Sequence, residues 1–180
     1  MKDSFERRLQ RVHDFLDRGG FDGFTRQDLL LPAWHSIVTL SNMAEAITNR
    51  FVKEELPTED AINYLNTIVT RAVHPRVNPY RRSIDRVGDL SRWGYYLEHL
   101  NICLGALARV NPEHDFRELN TRVSQHLVEN TMKYDNFHAD LHARSRMKWP
   151  ADQAGILYSL WLYDQNRGTN LSEAPRKGWF

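Results

Sequence analysis

Three tryptophans, Trp34, Trp93 and Trp149, each stand at or just before a stretch in which apolar residues cover nearly every face of a helix. They recur at intervals of 59 and 56 residues. An interval of that size holds two helices and a connection, so the chain is constrained to repeat one helix pair three times. The stretches between are one-sided. Phe5, Leu9, Val12 and Leu16 mark a first helix over 2–18, ended by Gly19-Gly20. Ile62, Leu65, Ile68, Val69 and Ala72 mark a third helix after the break at Leu56-Pro57-Thr58-Glu59-Asp60. Phe116, Leu119, Val123 and Leu127 mark a fifth, opened by Asn111-Pro112-Glu113.

The other three helices are apolar all round and belong inside. The second runs from Pro32 to about Glu55. Ser91 is expected to cap the fourth, which carries Trp93, Tyr95, Tyr96, Leu97, Leu100, Ile102, Leu104 and Leu107. Trp149-Pro150-Ala151-Asp152 opens the sixth, with Ile156, Leu157, Leu160, Trp161 and Leu162. The pattern predicts an all-α fold of three outer-inner antiparallel helix pairs in two layers. It predicts one helical domain over 1–180, with 168–180 as an irregular tail.

With 180 residues, 41% of them hydrophobic, the chain can bury a core of ordinary size. A formal charge of +1 argues against nucleic acid or a membrane surface as partner. A mean hydropathy of −0.60 and the lack of any ~20-residue apolar run predict no membrane span. The single cysteine, Cys103, forms no internal disulfide, and the first residues lack the apolar core of a secretion signal, so a cytoplasmic location is expected.

In antiparallel pairs all the inner helices point the same way, and their starts meet on one face with the long loops 19–32, 75–92 and 134–149. Long loops gathered on a regular scaffold are where sites form. Asp152 lies in the first turn of the sixth helix, where the dipole lowers a carboxylate's pKa; it either binds or protonates a ligand, or caps free backbone N–H groups. Glu98, His99 and Asn101 interrupt an apolar helix and must be hydrogen-bonded there, as a clamp or as an acid/base couple. His138, Asp140 and His142 alternate in the third loop; without a third strong ligand no metal and no cofactor is expected, and His138 is read as a proton shuttle. Cys103 reads as core. Loop 75–92 sets Arg76, Arg81, Arg82, Arg86 and Arg92 against Asp85 and Asp89, and loop 134–149 sets Arg144, Arg146 and Lys148 against Asp135 and Asp140. With the positive helix starts, this points to an anionic small molecule held by Arg82 and Arg146. Trp34, Trp93, Tyr96 and Trp149 would give its pocket flat walls.

The outer-inner alternation, and the stretch WPADQAGILYSLWLYDQNRGTNLS over 149–172, resemble the α/α toroid folds of six-hairpin carbohydrate-active enzymes, uronate epimerases and the linalool dehydratase-like group. The likeness implies half of such a ring, completed by a second copy or by a partner protein, or else a shortened relative that has lost the chemistry. It implies a uronate, sugar or isoprenoid ligand at the ends of the inner helices. It also implies lyase, epimerase or hydrolase chemistry in which Asp152, His99 or His138 moves protons. The alternative is a non-catalytic interaction module whose open ring edges bind a partner protein.

Overall fold

The computed structural model describes residues 36–135 and 149–180. Trp34, His138, Arg146 and the helix expected over 2–18 lie outside the described residues. Within them the chain forms α1 (Ser36–Val52), α2 (Thr58–Ala72), α3 (Gly94–Val110), α4 (Arg117–Lys133), α5 (Pro150–Arg167) and α6 (Glu173–Trp179), with a 3₁₀ turn at Ile84–Arg86. Among the described residues there is no strand, and no helix is long and apolar enough to cross a membrane.

The direction of the helices can be read from which residues meet. His99 on α3 bonds Ser41 on α1, and Cys103 feels the charge of Glu45, both 58 positions apart. On the other side of α3, Glu98 lies against Gly155, Asn101 bonds Ser159, and Gly105 meets Leu162, at offsets of 57 or 58. Contacts that advance together along two helices mean that the helices are parallel. So α1, α3 and α5 run side by side in one direction, at a repeat that matches the tryptophan intervals. The Tyr96 hydroxyl, near the start of α3, donates to the carbonyl of Ala72 at the end of α2, so α2 runs the opposite way. A short turn leads from α3 into α4, and Arg122 of α4 then reaches back to the segment before α3, so α4 is antiparallel too. α2 packs on α1 and α3, α4 on α3 and α5, and α6 on α4. The result is an inner layer of α1, α3 and α5 under an outer layer of α2 and α4.

α3 sits at the centre because nearly all its side chains are apolar. From Tyr96 to Ala108 each is buried except His99. Leu97, Leu100, Leu104 and Leu107 meet Ile37, Ile47, Leu65, Ile68, Leu127, Ile156 and Leu160 in one core, each worth about 1.5–3 kcal/mol of burial. Gly105 allows α5 close: a methyl there would stand 3.2 Å from Leu162 Cβ. Asn101 is the polar hub of this core. Its Nδ2 donates to Ser159 Oγ at 3.1 Å, and its Oδ1 accepts from Asn120 Nδ2 at 2.9 Å and Ser124 Oγ at 3.1 Å, which ties α3 to α4 and α5.

The segment between α2 and α3 is irregular, as its prolines and glycine predict, yet it is firmly packed. Val77, Ile84, Val87 and Leu90 are buried. Asn78 Nδ2 donates to the carbonyls of Val73 (2.7 Å) and Arg82 (2.9 Å). The Arg122 guanidinium donates to the carbonyls of Ile84, Asp85 and Val87.

Three boundaries and the cover of one helix differ from expectation. α3 starts at Gly94, with Trp93 in the left-handed region at φ 67, and Ser91 does not cap it but donates its N–H to Asp89 Oδ1. α4 starts at Arg117, because residues 111–116 form tight turns instead of a first helical turn. α5 is not covered on every side: Tyr158 and Trp161 are exposed. The tail is not wholly irregular, since α6 occupies Glu173–Trp179. Asp164 shapes the bend into it. After Gly168 closes α5 at φ 66, Asp164 accepts from Thr169 Oγ1 (2.6 Å) and from the N–H groups of Leu171 (2.8 Å) and Ser172 (2.9 Å). Burial would raise its pKa, but these bonds outweigh burial and hold it below the usual range.

Candidate functional site

One stripe of α3 is less covered than the rest. Tyr95, His99 and Arg109 are its partly open positions, at helical spacing, and Arg109 with buried Ala106 lines a cleft walled by α1 and α5. Toward the starts of α3 and α5 the same face carries Tyr95 edge-on to His99, and Asp152, whose charge reaches both Tyr95 and the buried Glu98; this strip is the candidate furrow.

Glu98 is 3% exposed. Its Oε1 stands 3.3 Å from His99 Nε2, and its Oε2 is buried with no hydrogen-bond partner among the described residues. Space for this carboxyl exists because residue 155 is glycine: a Cβ there would lie 2.8 Å from Oε1. His99 Nδ1 is 2.8 Å from Ser41 Oγ. Ser41 directs its own proton to the carbonyl of Val38 at 2.9 Å, so its oxygen accepts from Nδ1–H. Nε2 is then a bare acceptor facing Glu98. Tyr95 sets its ring edge-on to His99, with centroids 5.0 Å apart.

The protonation states follow from burial. Burial, and after it the charge of Asp152, pushes the Glu98 carboxyl up to about 10. Burial pushes His99 down to about 4. A neutral acid therefore faces a neutral imidazole at pH 7. Burial also raises Asp152, which reverses the expectation drawn from the helix dipole: at this half-buried position, lost hydration outweighs the dipole. The Tyr95 phenol is raised by burial, then by Asp152 and Glu98. Two carboxyls in electrostatic reach, one sealed and protonated and one at the surface of the furrow, give the site one group to donate a proton and one to receive it.

Further along the same face of α3 lies a cleft of about 240 Å³ between α1, α3 and α5. Glu45 and Arg109 line it, together with Tyr158 and Trp161, which stack at 5.9 Å and 22°. The Tyr158 hydroxyl is pushed up to about 12 by burial and by its bond to Glu45.

Of the residues singled out from sequence, His99 contacts Glu98 at 3.3 Å and Asp152 acts on the same carboxyl through its charge. Tyr96 is not part of any pocket wall: it is fully buried and bonded to Ala72. Trp93 packs against the core at the start of α3, and Trp149 is 51% exposed just before α5. Arg82 is exposed in a segment held to α2 and α4, the layer away from the furrow. Among the described residues no group of three His, Cys, Asp or Glu side chains could hold a metal ion. Ser41, Glu45, Gly155, Tyr158 and Trp161 were not foreseen. The repeat itself carried a signal for the first two, since Ser41 and Glu45 precede His99 and Cys103 by one repeat length.

Compared with known proteins, the chain matches no family model, no curated protein and no solved structure.

Proposed function

We propose that the furrow is the site of an acid/base enzyme of the lyase, epimerase or hydrolase kind, acting on a small carboxylated or phosphorylated molecule. The observation that carries this reading is the pairing of sealed, protonated Glu98 with half-buried Asp152 across α3 and α5. Asp152 is the group that a ligand touches, as base, with the Tyr95 hydroxyl beside it. Glu98 is the proton reserve, and His99, whose Nε2 faces it at 3.3 Å, is its relay. The three inner helices start at the same end of the furrow, and their dipoles favour an anionic group there. The aromatic pair Tyr158 and Trp161 offers a sugar ring or an isoprenoid chain a flat wall. By likeness to a six-hairpin ring, the three pairs are half of a closed structure, and a second copy is the partner that completes it.

Thermal shift with uronates and with isoprenoid phosphates tests the site: one class raises the melting temperature saturably, and Asp152→Asn abolishes the rise. No shift with either class at millimolar concentration overturns it. Light scattering tests the ring, for which twice 21.2 kDa is expected.

One observation favours a second reading, a non-catalytic helical module. Both ring nitrogens of His99 face protein groups, and Glu98 fills the notch at Gly155, as in a clamp that joins α1, α3 and α5. On that reading ligands have no effect, and Glu98→Gln alters stability alone.

A further inference from the structure

A second cleft, with a separate set of lining residues, lies between α4 and the end of α5, with a volume of about 360 Å³. Three guanidinium groups line it, those of Arg117, Arg122 and Arg167, against a single carboxylate, Glu118. Arg117 is held by exposed Glu113 at the rim. Arg122 has both terminal nitrogens on backbone carbonyls of the loop before α3, so its charge stays uncompensated.

Arg167 is the decisive residue. Its Nε and Nη2 are buried, and no acceptor meets them among the described residues. Behind it His114 is 3% exposed, and neither of its ring nitrogens has a partner there. Burial, and after it the charge of Arg167, disfavours a proton on His114, so the imidazole offers Arg167 no opposite charge. A guanidinium sealed along one edge without a counter-ion is a costly arrangement, and removing such a charge from water is normally compensated by an opposite one. Between the arginines, the Thr121 hydroxyl donates to the carbonyl of Arg117 and accepts from the Tyr163 hydroxyl 3.1 Å away. The cleft opens at the start of α4, whose dipole has the same sign as the arginines.

We propose that this cleft is an anion-binding site for the phosphate group of a small phosphomonoester, separate from the acid/base furrow and independent of what the furrow does. Three guanidinium charges against one carboxylate, one of them sealed along an unpaired edge, suit a phosphate dianion better than a single carboxylate does.

Calorimetric titration at constant ionic strength tests this, using inorganic phosphate, phenyl phosphate and a short single-stranded oligonucleotide, with chloride as blank. Saturable binding of phenyl phosphate is expected, with inorganic phosphate weaker at the same site. Arg167→Gln should weaken phenyl phosphate about tenfold or more, as loss of one charged hydrogen-bonding partner implies. Arg117→Gln, at the exposed rim and safe for folding, should weaken it several-fold, while Arg76→Gln, in the loop after α2, should leave it unchanged. No saturable binding by either phosphate, or equal affinity in both cleft variants and the parent, overturns the site. An oligonucleotide that binds in preference to both phosphates, with affinity falling steeply in salt, overturns the small-molecule class.

Discussion

A methyl group at residue 155 would stand 2.8 Å from Glu98 Oε1 and 2.9 Å from its carboxyl carbon, closer than side-chain atoms approach. Glycine in a helix interior costs about 1 kcal/mol relative to alanine, so Gly155→Ala would be stabilising if helix propensity decided the matter. The clash decides it instead. Gly155→Ala should lower stability by about 1–3 kcal/mol in urea unfolding. In a Glu98→Ala background the same change should be neutral or stabilising, and this non-additivity identifies the contact. Glu98 should also leave a mark on the pH dependence. Unfolded, it loses its proton above about 4.5; folded, it keeps it to about 10, so between these values the native state holds the extra proton and stability falls as pH rises. His99 acts in the opposite sense, losing stability as pH falls from 6.5 towards 4. The two offset each other in mild acid and leave a falling limb between about pH 7 and 9. Its slope is at most about 1.4 kcal/mol per pH unit, and Glu98→Gln should flatten it.

At the level of elements, α2 and α5 were legible because local signals agreed with packing. Pro57 with Glu59 and Asp60, and Pro150 with Asp152, mark starts that α2 and α5 use. The start of α3 was not legible, since the left-handed Trp93 is set by tertiary packing, which neither Ser91 nor any propensity encodes. The segment before α3 read as broken from its prolines. That it is nonetheless ordered depends on Arg122, a residue on α4 remote in sequence, and no local pattern announces this. Arg122→Ala should leave the carbonyls of Ile84, Asp85 and Val87 without their donor and cost about 1–3 kcal/mol. Hydrogen exchange at residues 84–90 should accelerate while that of α3 and α5 stays slow.

For the molecule as a whole, the intervals of 59 and 56 residues between tryptophans were the visible trace of a repeat whose structural offset is 57 or 58. The repeat predicted the common direction of α1, α3 and α5, which sets both His99 and Asp152 within reach of Glu98. The composition of the furrow was less legible. Aromatic walls were assigned to residues at helix starts, whereas burial of Tyr96 and packing of Trp93 leave that role to Tyr158 and Trp161, which face out because α5 is less covered than α3. The central claim is that the inner layer seals a protonated carboxylic acid beneath the furrow. Carbon-13 NMR of protein labelled at glutamate carboxyls, with Glu98→Gln to assign the signal, measures this directly. A Glu98 resonance that remains protonated through neutral pH and titrates near 10 is predicted; a resonance already ionised at pH 6 would contradict it.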